Sequence, residues 1–373
     1  MAKAKNVGKS AKPSSRPVNI AALRTRIDRL DKELVKLMNE RARLSAEIGQ
    51  AKATEGQAAY LPSREEEVLA QVTAANKGPL SDRTLRAVFN ELMCGGRAVG
   101  RELRIAYLGP AYSYSHLAAL HRFGHAVDLI PVGTIAAVFD EVNRGQAAYG
   151  LVPIENSTDG RIADTLEMFT RVPARICGEV QLPIHHYLLA RCARAEVEEV
   201  YSKPQALSQC RNWLSKHLPQ ARLVEVTSTS TAAKLAQDKP GAAALASLQA
   251  GTHYGLDVLA EKIEDNPGNS TRFAVIGKHS AERTGRDRTA LMFEIPHRPG
   301  ALADAMNVFK RNRLNLTWIE SFPIAQRSGS YLFFVELDGH ETDLKVRRAM
   351  DSLGRKAVKL DLLGSFPRGV PVE

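Results

Sequence analysis

Cysteine is scarce in this chain of 373 residues: Cys94, Cys177, Cys192 and Cys210 are widely spaced and form no Cys-x-x-Cys pair. That spacing argues against a zinc ribbon, an iron–sulfur cluster or a disulfide framework and leaves four reduced packing residues. Long apolar runs are missing too. None approaches the ~18 residues that a membrane span requires, and the opening residues lack the apolar stretch of a signal peptide, so a cytoplasmic chain without membrane attachment is expected. Aromatic residues make up only 6%, and none lies among the cations of the first stretch, which holds Lys3, Lys5, Lys9, Lys12 and Arg16 but no acid. About half of the formal charge of +10 therefore belongs to a loose basic tail, residues 1–17, and a nucleic-acid partner is not expected.

What is present suffices for ordinary cores: 44% of residues are apolar, over a length that suits two or three domains. From Ile20 the apolar positions run Leu23, Ile27, Leu30, Leu34, Leu37, Leu44, Ile48 and Ala51, a three-four alternation that predicts one long helix with a packed seam. Arg41 occupies that seam, where a guanidinium costs several kcal/mol unless it meets an anion or an acid. A ligand and a salt bridge with Glu40 or a neighbouring helix both satisfy it. At 1.5 Å rise per residue, Arg24 lies ~26 Å from Arg41 and Lys52 ~16 Å beyond. One small dianion cannot touch both ends, so Arg24 reaches a ligand held by Arg41 and Lys52 only from a partner chain running the other way. The pattern implies a dimer with shared sites.

With Arg64 and Glu65 opening a second helix, residues 18–100 resemble the all-helical chorismate mutase family. The resemblance implies that Arg24, Arg41 and Arg64 bind the two carboxylates of chorismate, that Lys52 meets the ether oxygen and that Glu65 accepts the substrate hydroxyl. Such a rearrangement needs positioning and electrostatics only. Gly100 stands where the family carries Gln or Glu, and Leu61 where some members carry an acid. A helical module that only dimerises the chain is the alternative.

Near Leu103 the pattern changes to short apolar segments at Arg104–Leu108, Val127–Pro131, Ala148–Ile154, His185–Leu189, Glu199–Ser202 and Phe273–Ile276. Their alternation with helical stretches predicts parallel sheets with crossover helices. His185 and His186 fall inside one predicted strand without an acid nearby in sequence, and read as structural. Five motifs recur in order: Gly109-Pro110 with Ser113-Tyr114-Ser115-His116, the run Val152 to Ser157 with Gly160, Tyr201-Ser202-Lys203-Pro204-Gln205, Ser228-Thr229, and Asn269 to Phe273. On these, residues 103–279 resemble prephenate dehydratase. The resemblance implies a two-lobed α/β domain like a periplasmic binding protein, with prephenate in the cleft and no metal or organic cofactor. Thr271 would protonate the leaving hydroxyl. Ser113, Glu155, Asn156, Ser157, Gln205, Ser228 and Thr229 would line the cleft, and Phe273 would pack behind it. Arg272 either pairs with a substrate carboxylate or bridges to Glu155. Tyr112 and Lys203 stand where the family has Gly and His; a ring at 112 either widens the loop or enters the cleft mouth.

After a charged linker, 280–288, the order strand, helix, strand, strand, helix, strand can be read over residues 289–368. It resembles an α+β ferredoxin-like ACT domain. Gly300, Ala301 and Leu302 open a helix whose amides suit the carboxylate of an amino-acid effector, and Glu320 and Ser321 belong to the same implied site, with Phe322 where an arginine is usual. The resemblances together imply a chorismate mutase fused to a prephenate dehydratase, feedback-regulated by L-phenylalanine and assembled as a homodimer or higher homo-oligomer. A dehydratase for prephenate or arogenate with degenerate helices is the second reading, and a non-catalytic amino-acid sensor the third.

Overall fold

The structure, a computed structural model, describes residues 19–54, 62–99, 103–323 and 331–369. Three helices come first: α1 (Ile20–Thr54), α2 (Pro62–Ala75) and α3 (Asp82–Ala98). Helix α3 starts on Ser81, whose hydroxyl accepts from Thr84 N–H, and packs against α1 and α2. The seam of α1 is only partly used: Leu23, Ile27, Leu30, Leu34, Leu37, Leu44 and Ile48 are each between 44% and 58% exposed.

The central domain has two lobes. The first holds β1 (Arg104–Leu108), α4 (Tyr114–Phe123), β2 (Asp128–Val132), α5 (Ile135–Asn143), β3 (Tyr149–Asn156), β4 (Gly160–Arg161), α6 (Ala163–Arg171) and β5 (Arg175–Pro183). The second holds β6 (Tyr187–Ala190), β7 (Glu199–Ser202), α7 (Pro204–Gln209), α8 (Arg211–His217), β8 (Arg222–Glu225), α9 (Thr229–Asp238), β9 (Ala242–Ala246), α10 (Leu248–Tyr254) and β10 (Asp257–Ala260). Strand β11 (Ser270–Gly277) then returns to the first sheet, whose order is β2-β1-β3-β11-β5, with β4 on β3. The second sheet runs β10-β6-β9-β7-β8. Neither is wholly parallel as the alternation predicts: β11 runs antiparallel to β3 and β5, and β6 antiparallel to β9 and β10. A chain that leaves a lobe and comes back enters its sheet from the opposite end.

Helices α4, α5, α9 and α10 each start on a hydroxyl that accepts a backbone N–H, from Ser113, Thr134, Ser228 and Ser247, a cap that contributes about 1 kcal/mol each. Strand β9 reads Ala-Ala-Ala-Leu-Ala and is wholly buried; its small side chains let α9 pack close. Gly150 does the same for α5, since a Cβ there would come within 2.6 Å of Val138.

The C-terminal domain follows the order β12 (Asp287–Glu294), α11 (Ala301–Arg311), β13 (Leu316–Pro323), β14 (Tyr331–Asp338), α12 (Leu344–Gly354) and β15 (Lys359–Pro367), with an antiparallel sheet β13-β14-β12-β15. One face of this sheet is covered by α11 and α12. The other shares a core with the first lobe: Ala290, Met292, Phe334 and Phe366 pack with Val138, Phe139, Ile154, Phe169 and Ile276. Phe322, where an arginine was expected, packs against this core. At Gly364 (φ 132) β15 approaches Ile176 so closely that a Cβ would strike its backbone. Of the sequence expectations, the tail, Leu61 and Gly100 lie outside the described residues.

Candidate active site

The chain crosses between the lobes twice, at residues 184–186 and 261–269, and the crossings are bonded side by side. Ile184 N–H donates to Asn269 O at 2.9 Å, and Ile263 N–H to His186 O at 2.9 Å. His185 and His186 therefore lie in a hinge ahead of β6, not in a strand. The acid absent from their sequence neighbourhood arrives from the other crossing: Glu264 accepts from His186 N–H at 2.9 Å and pairs with His185 Nδ1 at 2.6 Å. Burial works to raise the Glu264 pKa, but the His185 hydrogen bond and two backbone N–H groups outweigh it, leaving the carboxyl below its usual range.

Beside this hinge, Asn156 at the end of β3 opposes Thr271 at the start of β11. Asn156 Oδ1 accepts from the backbone N–H groups of Thr158 and Asp159 at 2.9 and 3.0 Å, which fixes the amide. Its Nδ2 then donates to Thr271 Oγ1 at 2.9 Å and to Asn269 Oδ1 at 3.1 Å. Asn269 Nδ2 donates to Gln209 Oε1 at 2.8 Å, and Gln209 Nε2 to Asp159 Oδ2 at 3.1 Å, tying α7 of the second lobe to the loop after β3. Among the described residues Thr271 is given a hydrogen bond but donates none, so its proton remains available.

Several residues expected to line the cleft turn out to hold the backbone. Ser113 caps α4, accepting from His116 N–H and donating to Leu108 O, both at 3.3 Å. Ser228 caps α9, accepting from Thr231 N–H at 3.0 Å, and Thr229 is buried in that helix's first turn. Ser157 Oγ accepts from Ser270 N–H at 2.9 Å. Gln205 is exposed, and Gln209, one helical turn later, takes the inward place. The helical spacing carries that possibility, since i and i+4 share a face. Asn269 figures in the sequence only as the start of a motif, with no role, and Asp159, Ser230 and Ser247 were missed. The last two donate to Ala111 O at 2.6 Å and Tyr112 O at 3.3 Å, pinning the first-lobe loop from the second lobe. Tyr112 has φ 64, a conformation that explains the glycine usual there. Its ring spans the lobes, stacked on His253 at 3.8 Å between centroids. Phe273 is buried behind Thr271 as expected.

Strand alternation sends Arg272 to the opposite face from Thr271, where of its two expected roles it takes the bridge to Glu155 and not the contact with substrate. There it binds Glu155 and Glu179 at 2.8 Å and Glu336 of β14 at 2.9 Å, over the Trp318 ring. Arg288 adds contacts to Glu179 and Glu336 at 3.2 and 3.8 Å. Glu155, expected to line the cleft, thereby pairs with Arg272 on the face away from Thr271. Burial would lower the Arg272 pKa, but Glu336 and Glu179 more than reverse that and raise it. Burial also pushes the Glu336 carboxyl up against the pull of Arg272.

In the helical domain, Arg41 donates to Leu92 O at 3.3 Å between α1 and α3. Arg24 is exposed, Lys52 half-buried, and Arg64 pairs with Glu67 at 2.9 Å on the surface. Glu65 is buried and bridges Arg97 of α3 and, at 3.1 Å, Arg122 of α4, so it also ties this domain to the central one. In the C-terminal domain Gly300 (φ 80), Ala301 and Leu302 border a cavity of about 330 Å³ with Pro296 and Tyr331. Glu320 is directed away from it and pairs with Arg161 of β4 at 2.7 Å, and Ser321 is exposed.

Residues 105–281 match the prephenate dehydratase family model, and residues 23–100 match that of chorismate mutase type II. A bifunctional chorismate mutase/prephenate dehydratase of Stutzerimonas stutzeri is 40% identical over 94% of this chain and 98% of its own length. The chain belongs to the bifunctional chorismate mutase/prephenate dehydratase family. Another bifunctional relative, from Aquifex aeolicus, is 39% identical over 93% of this chain and 98% of its own. A crystal structure of prephenate dehydratase in complex with L-Phe from Arthrobacter aurescens superposes with a TM-score of 0.66 at 34% identity, covering 71% of this chain and 90% of that one. The chain is thus an enzyme of two activities, with the mutase helices ahead of the dehydratase lobes. Among the described residues no helix is long and apolar enough to cross a membrane.

Proposed function

We propose that Thr271 is the acid of the dehydratase step, donating its hydroxyl proton to the departing ring oxygen of prephenate as carbon dioxide leaves and the ring becomes aromatic. The observation that carries this reading is the Asn156 Nδ2 bond to Thr271 Oγ1 at 2.9 Å. A donor on Oγ1 increases the acidity of the O–H and directs it away from Asn156, toward the cleft. A free threonine is a very weak acid, so the rate depends on this arrangement and on the aromatisation that drives the reaction. No metal or organic cofactor enters the proposal.

The mutase site is proposed to form between two copies of the chain. An antiparallel partner laid on the exposed α1 seam brings the partner's end of the helix, with its Arg24, toward Arg41 and Lys52. The extent of the exposed apolar stripe supports this homodimer. Arg64 and Glu65 complete the site; a carboxylate accepts about four hydrogen bonds, so Glu65 serves a substrate hydroxyl while still held by Arg97 and Arg122. The C-terminal domain is proposed to be an ACT domain of ferredoxin-like topology. Its cavity at Gly300, Ala301 and Leu302 would take L-phenylalanine, with the α11 amide end facing the carboxylate. Glu320, bound to Arg161, then acts from the dehydratase side of that domain.

Chorismate consumption and phenylpyruvate formation, followed on the same preparation with and without phenylalanine, test the whole reading. Thr271→Ala is expected to lower dehydratase kcat by about 10²- to 10⁴-fold while mutase turnover persists. Near-parental dehydratase turnover in that variant would remove Thr271 from the mechanism.

A further inference from the structure

We propose that His186 is a positioning residue of the dehydratase: its Nε2–H, acting with Asp159, holds Gln209 in the direction required by a chain of side-chain amides that ends on Thr271 and leaves the threonine proton free for substrate. The inference rests on the reading of Thr271 as the acid.

Both ends of this chain are held by groups that have no choice of role. At one end Asp159, a carboxylate that only accepts, takes Gln209 Nε2 at 3.1 Å. Gln209 Oε1 therefore faces the hinge, where it accepts from Asn269 Nδ2 at 2.8 Å and lies 3.0 Å from His186 Nε2. Next to an oxygen that cannot donate, Nε2 must carry the hydrogen. At the other end the backbone N–H groups of Thr158 and Asp159 occupy Asn156 Oδ1, so Asn156 presents only its NH₂ to Asn269 Oδ1 and Thr271 Oγ1.

Reversing His186 would undo the sequence of bonds. With the hydrogen on Nδ1, the Nε2 lone pair would face Gln209 Oε1. If Gln209 turned its NH₂ to meet it, that group would confront the NH₂ of Asn269 and set an oxygen against Asp159. The fold holds the ring in place. His186 is 2% exposed, and the Tyr114 hydroxyl, whose single hydrogen goes to His185 O at 2.7 Å, packs 3.2 Å from its Nδ1. Glu264 and Ile263 hold the backbone on both sides of the ring. Burial lowers the His186 pKa, which keeps the imidazole neutral.

The test uses the full chain, whose mutase activity reports folding independently. His186→Leu removes the donor; His186→Gln places an amide N–H near the position of Nε2. The expected result is a drop in dehydratase kcat of about tenfold to hundredfold for His186→Leu, KM for prephenate within about twofold, mutase turnover unchanged, and most of kcat recovered in His186→Gln. Parental kcat in His186→Leu overturns the proposal, and so does His186→Gln as impaired as His186→Leu with the mutase intact. Should His186→Leu lose both activities, the parent chain decides: with ¹⁵N-labelled histidines, NMR showing the hydrogen on Nε2 supports the proposal and a hydrogen on Nδ1 refutes it. Thr271→Ala in the same assays separates this inference from its premise. A Thr271→Ala chain that still turns over removes the premise, whereas an inactive one beside a fully active His186→Leu removes only the role of His186.

Discussion

The helical domain and the central domain meet their chemistry in opposite ways. Every polar group around Thr271 finds its partners within one chain, across two lobes joined by a bonded hinge. The long first helix instead leaves seven apolar side chains of its seam in water, and its cations are spread too far along the axis to meet on one small substrate. A polar site can close on itself once hydrogen bonds are satisfied, whereas an unpaired apolar stripe is stable only against another surface. On the proposed reading, the first site is a property of the fold and the second of an assembly.

The sharpest way to break that contrast is to charge the seam. Leu34→Glu should dissociate the proposed dimer and lower mutase turnover by more than about tenfold, because each proposed shared site loses the partner's Arg24 and its supporting helix. Dehydratase turnover should stay within about twofold. Sedimentation velocity with both assays checks it; a chain that becomes monomeric yet keeps its mutase activity would show that the site forms within one copy.

A second expected effect sits on the reverse face of the Thr271 rung. There three carboxylates, Glu155, Glu179 and Glu336, meet two guanidiniums, Arg272 and Arg288, with one net negative charge in a buried place. Removing a cation worsens that imbalance and removing an anion relieves it. Arg272→Met should therefore destabilise the chain by about 3–5 kcal/mol, as for other broken buried pairs, and Glu336→Gln by clearly less. Urea unfolding of the two variants compares them, and equal losses would mean that packing and not charge governs this junction between the domains.

How much of this was legible in the sequence follows from how far each interaction reaches. The long helix, the order of the C-terminal elements and the Asn156–Thr271 neighbourhood were readable because they rest on periodicity or on motifs of a few residues. Capping was not separable from substrate binding: Ser113 and Ser228 are hydroxyls before helices, and only the folded structure shows their oxygens already taken. The hinge was invisible for a different reason. His185 and His186 read as structural residues of a strand because their acid, Glu264, comes from the return crossing, and no local pattern joins the two. Arg272 was legible as a pair with Glu155, but Glu336 belongs to another domain.

Acid should expose the hinge next. The folded-state pKa of His186 is depressed by burial, so the neutral ring contributes stability that is complete above its unfolded value of ~6.5 and is lost as pH falls from there toward the folded value. His116 and His121 shift in the same direction, with burial as the leading cause. Unfolding free energy, measured in urea across this range, should fall with pH, and His186→Gln should flatten part of the slope. An unchanged slope would place the titration elsewhere.

The smallest effect completes the comparison between enclosed and open sites. Arg104 Nε and Asp128 Oδ2 are 3.2 Å apart where β1 pairs with β2, close to the separations in the Arg272 cluster, but their side chains are 41% and 48% exposed. Water and salt screen such a pair, and ordering two exposed side chains offsets much of the attraction, so Arg104→Ala should cost no more than about 1 kcal/mol. Part of even that loss belongs to the Arg104 bond to Gln146 O at 3.2 Å, which survives in Asp128→Ala. Comparing the two substitutions at low and high salt isolates the ionic share: Asp128→Ala should lose its effect in high salt, and Arg104→Ala should keep a remainder.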